Sequence, residues 1–270
     1  MSNTSSVWDS HFGGVWHLQQ STTPVPQHML DSTSNNNYAT SSAQTTSATG
    51  QIYNGVSFNG GWVSRLTATD SASLRPTSNE TISLWADPTT TNVDQTMVRS
   101  GKTNTNENYI LDFFTGPVIR YIVKNTIAAT YTVTTSALPT NTWSFVTATY
   151  DGSDLNLYIN GALAAYTQQS AINLNQNTTG FAIGNSPDWV SNNPPFGFSG
   201  SIDEVRISNI ARSPGWIQTE YNNEATPSAF FTESNVETDI YAPTLSQLLR
   251  HGQFFGTQGA ESGSIQPFMW

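Results

Sequence analysis

The segment "TWSFVTATYDGSDLNLYINGALAAY", Thr142–Tyr166, holds two turn dipeptides inside alternating apolar and polar runs. Asp151-Gly152 and Asn160-Gly161 suit tight hairpins because both residues of each pair tolerate positive φ. Between them Leu155, Leu157 and Ile159 share one face of a period-two pattern, as a strand with one packed face requires. The stretch therefore predicts consecutive antiparallel strands.

The same pattern recurs outward in both directions. "GGVWHLQQ" (Gly13–Gln20), "GVSFNGGWVSRL" (Gly55–Leu66) and "ETISLWADP" (Glu80–Pro88) read as strands. In the last of these, Ile82, Leu84 and Ala86 alternate with Thr81, Ser83 and Trp85. "NYILDFF" (Asn108–Phe114), "VIRYIV" (Val118–Val123), "ATYTVTT" (Ala129–Thr135), "FAIGN" (Phe181–Asn185) and "GSIDEVRIS" (Gly200–Ser208) add further strands. "DSTSNNNYATSSAQTTSATG" (Asp31–Gly50) is expected to be a polar connection. The one convincing helical signature in the first 225 residues is Ser213 as N-cap and Pro214 at the first helical position, ahead of "GWIQTEY". Short strands punctuated by Gly, Asn and Pro turns predict an all-β chain, an antiparallel β-sandwich rather than βαβ units. Trp16, Trp85, Trp143 and Trp216 are expected in its core.

Charged residues make up 10% of the 270 residues, against roughly 25% in an average soluble protein. The polar load falls instead on Ser, Thr, Asn and Gln. A formal net charge of −10 repels a phosphate backbone, which argues against nucleic acid and leaves neutral glycans or cations such as Ca²⁺. There is no cysteine, hence no disulfide, thiolate ligand or Cys nucleophile. No apolar run approaches the roughly 18 residues that a membrane span needs. "MSNTSSVWDSHFGG" lacks the basic and apolar regions of a secretory signal. The expectation is a chain that acts inside its producing cell or leaves by another route, such as within an assembling particle.

Three residue sets are candidates for function. The first is the adjacent pair Asp203 and Glu204. Strict alternation puts Asp203 with Val205 and Ile207, and Glu204 with Ile202 and Arg206. A carboxylate on an apolar face must be paired or coordinate a cation. Asp203 is then either a metal ligand or a strand-start residue bonding backbone amides, with Glu204 and Arg206 solvated. The second set is the oxygen-rich loop "DSTSNNN", where Asp31, Ser34 and Asn37, joined by Asp203, offer the oxygen ligands that Ca²⁺ takes; the alternative is an ordered polar loop that holds no ion. The third is "GNSPDWVSNNPPFGF" (Gly184–Phe198), which presents Trp189 beside Asp188 and Asn192, with Trp62 as a second aromatic next to Gly60-Gly61. Indole faces stack on sugar C–H surfaces while Asn and Asp read hydroxyls; Trp189 could equally cap one end of the sandwich. His11, His17, His28 and His251 show no metal-ligand spacing, and no P-loop or Gly-x-Ser-x-Gly occurs.

"GVWHL", "DSTSNNNYAT", "VSFNG", "ISLWADP", the Thr142–Tyr166 hairpin and "FSGSIDEVRISNIARSPGWIQTEYNN" follow one another in this order. Over Val7–Asn223 the chain resembles laminin-G-like domains of the concanavalin A-like lectin/glucanase superfamily, which implies a two-sheet jelly roll. In such domains an Asp-Ser-x-x-Asn segment is often part of a Ca²⁺ site. Asp31 matches its Asp, whereas Ser34 stands where Gly is common. Glucanases of this fold carry a Glu-x-Asp-x-x-Glu strand because retaining hydrolysis needs two carboxyls about 5 Å apart. That arrangement is absent, and "ESNVETD" (Glu233–Asp239) has the residue types in another order, so the chain is expected not to be an enzyme. The lead-in "VWDSHFGGVWHL" resembles the bacterial and phage subgroup, and "LLRHGQFFGTQGAESGSIQPFMW" (Leu248–Trp270) is similar to tails of phage structural proteins. The implied plan is a sandwich over 1–223, a linker over 224–243 and an assembly segment over 244–270. The implied protein is a homo-oligomeric virion-surface component, its sandwich facing glycans and its tail joining other subunits or capsid and tail proteins. The alternative is a bacterial carbohydrate-binding or adhesion module, extracellular or on the cell surface by a non-Sec route.

Overall fold

The structure, a computed structural model, describes residues 7–102, 106–114, 118–188 and 196–227, all within one unit spanning Met1–Phe230. The first eight strands are β1 (Phe12–Trp16), β2 (His28–Met29), β3 (Ala39–Ser41), β4 (Thr45–Thr49), β5 (Asn54–Asn59), β6 (Leu66–Ala68), β7 (Glu80–Pro88) and β8 (Gln95–Lys102). Then come β9 (Asn106–Phe114), β10 (Val118–Lys124), β11 (Thr130–Ser136), β12 (Ser144–Tyr150), β13 (Asp154–Ile159), β14 (Ala162–Gln168), β15 (Phe181–Ile183) and β16 (Ser199–Ser208), followed by helix α1 (Pro214–Ala225). One antiparallel sheet is ordered β14-β13-β12-β7-β16-β5-β4, with β1 also on β16; the other is β11-β10-β9-β8-β15-β6-β3-β2. This is the expected all-β sandwich.

The hairpins form as their turn residues predict. Tyr150 pairs with Leu155 and Ile159 with Ala162, and Asn160 and Gly161 take φ of +52° and +80°. The polar stretch Asp31–Gly50 is not wholly a connection, since it contains β3 and β4, and β8 also lacks a sequence signal. Thr- and Ser-rich strands such as β4, three of whose five residues are exposed, carry too little apolar alternation to announce themselves.

The pleat sends Ile82, Leu84 and Ala86 of β7 inward, where they share one core with Tyr109, Leu111 and Phe113 of β9 and Ile119, Tyr121 and Val123 of β10. Trp16 of the first sheet stacks on Phe181 of the second with ring centroids 4.9 Å apart. Glu80 also falls on this inner face by alternation with Ile82. It is buried and accepts a 2.5 Å hydrogen bond from the Tyr121 hydroxyl across the sandwich. Burial pushes its carboxyl up to about 8.

On the outer face of the first sheet, Trp85, Phe145 and Tyr158 form a second cluster with Ile217 of α1, and Trp143, Tyr221 and Ala225 pack against it. The helix starts as its sequence specifies, the Ser213 hydroxyl accepting from the Trp216 amide at 3.3 Å with Pro214 in the first turn. It runs two residues past Asn223, so Glu224 and Ala225, expected to begin a linker, belong to the sandwich.

Candidate functional site

The acidic pair sits where β16 changes partners. Ser199–Ile202 pair with β5, Val205–Ser208 pair with β1, and β7 runs along the other side. The register with β7 slips between Asp203 and Arg206, and Glu204 takes a φ of +51°. This β-bulge inserts one residue and resets the alternation. Ile202, Val205 and Ile207 therefore all reach the core, while Asp203 pairs with Trp85 and Arg206 with Ser83 on the outer face. The expectation that Asp203 shares a face with Val205 and Ile207 fails because strict alternation does not survive a bulge.

Asp203 is fully buried and accepts hydrogen bonds from the amides of Ile52 (2.8 Å) and Glu204 (2.9 Å). Gly50 and Gly55 make the room: a Cβ on Gly50 would lie 2.4 Å from Asp203 Oδ2, and one on Gly55 3.3 Å from the Asp203 Cβ. Burial pushes this carboxyl up to about 7. Glu204 and Arg206, solvated in the strand-start reading, are 2% and 5% exposed. The Arg206 guanidinium pairs with Glu204 (2.6 Å), Glu220 (2.5 Å) and Glu224 (2.5 Å). His17 Nδ1 lies 2.8 Å from Glu204, and the Trp85 indole N–H donates to Glu224 at 2.7 Å. Burial alone would lower the Arg206 pKa, but Glu220, Glu224 and Glu204 outweigh it and raise it. Burial raises the Glu224 pKa against the pull of Arg206.

This network floors an open groove of about 490 Å³ between the N-terminal lead-in and α1. Trp8 and Phe12 wall one side, their rings edge-to-face at 5.0 Å. Trp216, Thr219, Glu220 and Asn223 wall the other; the spacing i, i+3, i+4, i+7 puts them on one helix stripe. The stripe of Ile217, Tyr221 and Ala225 meets the sheet instead. Trp216, expected in the core, is consequently 46% exposed. Arg212 locks the two walls together. Its guanidinium lies 4.3 Å from the Phe12 ring centroid and 4.5 Å from that of Trp216, and it forks onto Asp9 at 2.9 and 3.0 Å. That hydrogen bond holds the Asp9 carboxyl below its ordinary value.

The other predicted site residues fall elsewhere. Asp31 and Asn37 come together, but as a backbone staple: Asp31 Oδ1 accepts from Val15 N and Thr33 N, and Oδ2 from Thr33 Oγ1 and Asn37 N, all within 3.0 Å. The Asn37 amide donates to Gly13 O and Ser73 Oγ. Ser34 is exposed, and Asp203 is committed to Ile52 and Glu204. With the Asp31 oxygens filled by donors, these residues do not fit a Ca²⁺ shell. Among the described residues no three His, Asp or Glu side chains converge as a metal site. Trp62 and Asp188 are each tied to one turn, Asn185-Ser186, rather than to each other. Asn185 donates to Trp62 O at 3.2 Å, and Ser186 Oγ, in the same turn, donates to Asp188 at 3.1 Å. Trp189 and Asn192, like the segment 244–270 and "ESNVETD", lie outside the described residues. Sequence reasoning misses the groove because its walls are about two hundred positions apart in the chain; the stripe at 216, 219, 220 and 223 is the available signal.

No curated protein matches the chain significantly. Among solved structures, the binding domain of Paraclostridial Mosquitocidal Protein 1 superposes with a TM-score of 0.62 at 14% identity, over 79% of this chain and 52% of that one. Domain 4 of AbnA, a GH43 extracellular arabinanase from Geobacillus stearothermophilus in complex with arabinotriose, gives 0.62 at 21% identity, over 77% and 96%. The botulinum neurotoxin serotype G binding domain gives 0.59 at 15%, over 78% and 50%. The chain thus spans about half the length of the two toxin domains and nearly all of the arabinanase domain, and identities this low establish the fold alone. The laminin G profile of the concanavalin A-like lectin/glucanases superfamily matches residues 59–218. With more than half the chain matched and the two-sheet sandwich in place, the chain belongs to the concanavalin A-like lectin/glucanases superfamily.

Proposed function

We propose that the chain is a non-catalytic, lectin-like module that takes a glycan in the groove between the lead-in and α1. The observation that carries this reading is the half-exposed Trp216 ring, held by Arg212 and flanked by the exposed Thr219 and Asn223 side chains. A fixed indole beside hydroxyl and amide groups suits a sugar's C–H face and hydroxyls, as such sites combine apolar walls with a few polar groups. The acids that converge here are engaged with a buried guanidinium rather than standing as the two separated carboxyls that glycoside hydrolysis uses. A glycan-bound relative of the fold, the arabinanase domain with arabinotriose, supports a binding role by analogy. Trp216→Ala is expected to weaken glycan binding about tenfold or more, while thermal stability changes by about 1 kcal/mol or less, the scale of one exposed cation–π contact. Unchanged affinity in a glycan titration of this variant would remove the groove from the reading.

Within that function, a virion-surface role is a second proposal, supported by the resemblance of Leu248–Trp270 to phage structural tails. Deleting Thr244–Trp270 is expected to leave a folded sandwich and to abolish assembly. A truncated chain that sediments as the full one does would end it.

A further inference from the structure

The groove carries a charge signature that its aromatic walls alone do not explain. Three carboxylates, Glu204, Glu220 and Glu224, surround the single guanidinium of Arg206, a formal excess of two negative charges with the neighbouring His17 neutral. Arg212, the other cation at the groove, is neutralised by its fork onto Asp9. An anionic ligand would therefore meet carboxylates already competing for one cation. A cationic one would not.

One polar atom at the groove is left with a bond to make. Glu220 uses Oε1 for Arg206 and Ser83, and among the described residues its Oε2 has no partner. Arg206 also lines the groove, but its unpaired Nε is buried and out of a ligand's reach. The aromatic walls already accept cations: the Arg206 guanidinium lies 5.5 Å from the Trp8 ring centroid, and Arg212 lies 4.5 Å from that of Trp216. Trp216 keeps its remaining surface open. An ammonium group against these indoles gains both a cation–π contact and a charge-assisted hydrogen bond to Glu220.

We infer that the groove selects an amine-bearing glycan, with the ammonium at Glu220 and the indoles. This rests on the glycan-binding reading above and narrows it to amino sugars, against acetylated or acidic ones.

The test titrates the full chain, by tryptophan fluorescence at mildly acidic pH, with a glucosamine tetramer, its N-acetylated counterpart and a sialylated oligosaccharide. Ethanolamine, a primary ammonium, serves as a cation that carries no sugar. The glucosamine tetramer is expected to bind about tenfold more tightly than the acetylated one. The gap should shrink in high salt and close in Glu220→Gln, which keeps a side-chain acceptor for Arg206. Because the matched pair is compared on the unaltered chain, the result does not depend on the variant folding. Equal or tighter binding of the acetylated or sialylated ligand would overturn the amine assignment and leave the glycan reading standing. Ethanolamine binding without any sugar binding would do the opposite, sparing the ammonium site and ending the glycan reading. Binding of none of the four would end both.

Discussion

Glu80→Gln is expected to melt roughly 10 °C above the unaltered chain at pH values beyond 8, and at the same temperature at acidic pH, taking about 2–4 °C per kcal/mol for a domain of this size. The Glu80 carboxyl lies between the two sheets with Tyr121 as its donor, and folding raises its pKa from 4.5 to about 8. A carboxyl shifted upward favours the folded state only while protonated. Its penalty is absent below pH 4.5, where both states hold the proton. Above that the unfolded chain ionises first, so stability falls by about 1.4 kcal/mol per pH unit until the folded group also ionises near 8, a loss approaching about 5 kcal/mol. Asp203, raised to about 7, acts in the same sense over a narrower window. The unaltered chain should therefore be more stable near pH 5 than near pH 8, an unusual slope for an acidic protein. Glutamine mimics the protonated acid and still accepts from Tyr121, so the variant should lose most of that slope. Parallel pH profiles of the two proteins, by thermal or urea melts, would mean that Glu80 is not held neutral in the core.

Removing Arg206 should act as strongly and in the opposite direction. Arg206→Ala leaves Glu204 and Glu224, both nearly inaccessible, and the partly covered Glu220 without their shared cation. Breaking a buried ion network by deleting one partner costs about 3–5 kcal/mol, because the remaining charges stay desolvated. Those carboxyls can escape only by taking up protons. The variant should therefore be most damaged at neutral pH and partly recover in acid, where the advantage of the unaltered chain shrinks. Arg206→Lys should recover little, since one ammonium cannot fork onto three carboxylates. A variant that unfolds within about 1 kcal/mol of the parent at neutral pH would show that the network is neutral to stability.

Much of this architecture is legible in the chain. Asp151-Gly152, Asn160-Gly161 and the Ser213-Pro214 cap act through local backbone preferences, so they mean in the structure what they mean in isolation. Trp216 shows where such reading stops. Its bulk argues for the core, yet only the stripe through Ile217, Tyr221 and Ala225 can reach the sheet, and the neighbouring position is left facing the groove. Glu204 shows a second limit. A non-glycine residue at positive φ sets the register of the whole acidic strand, and nothing in "SIDEVRIS" marks it, because the bulge is held by Arg206, His17 and α1 rather than by local propensity. The Asp31 loop stands out for a sound reason, a dense set of oxygens, but neighbouring amides and a hydroxyl claim those oxygens first.

The position of β16 has a kinetic consequence. This strand alone joins β7, β5 and β1, and its partners at Phe12–Trp16 precede it by nearly two hundred residues. The first sheet cannot close until almost the whole described chain has left the ribosome, so the early strands must wait with their edges bare. Such long-range pairing makes for slow folding and prolonged exposure to aggregation. A nascent chain stalled before Ser199 should remain protease-sensitive through β1, β4 and β5, and one released after Ala225 should become resistant there in a single step.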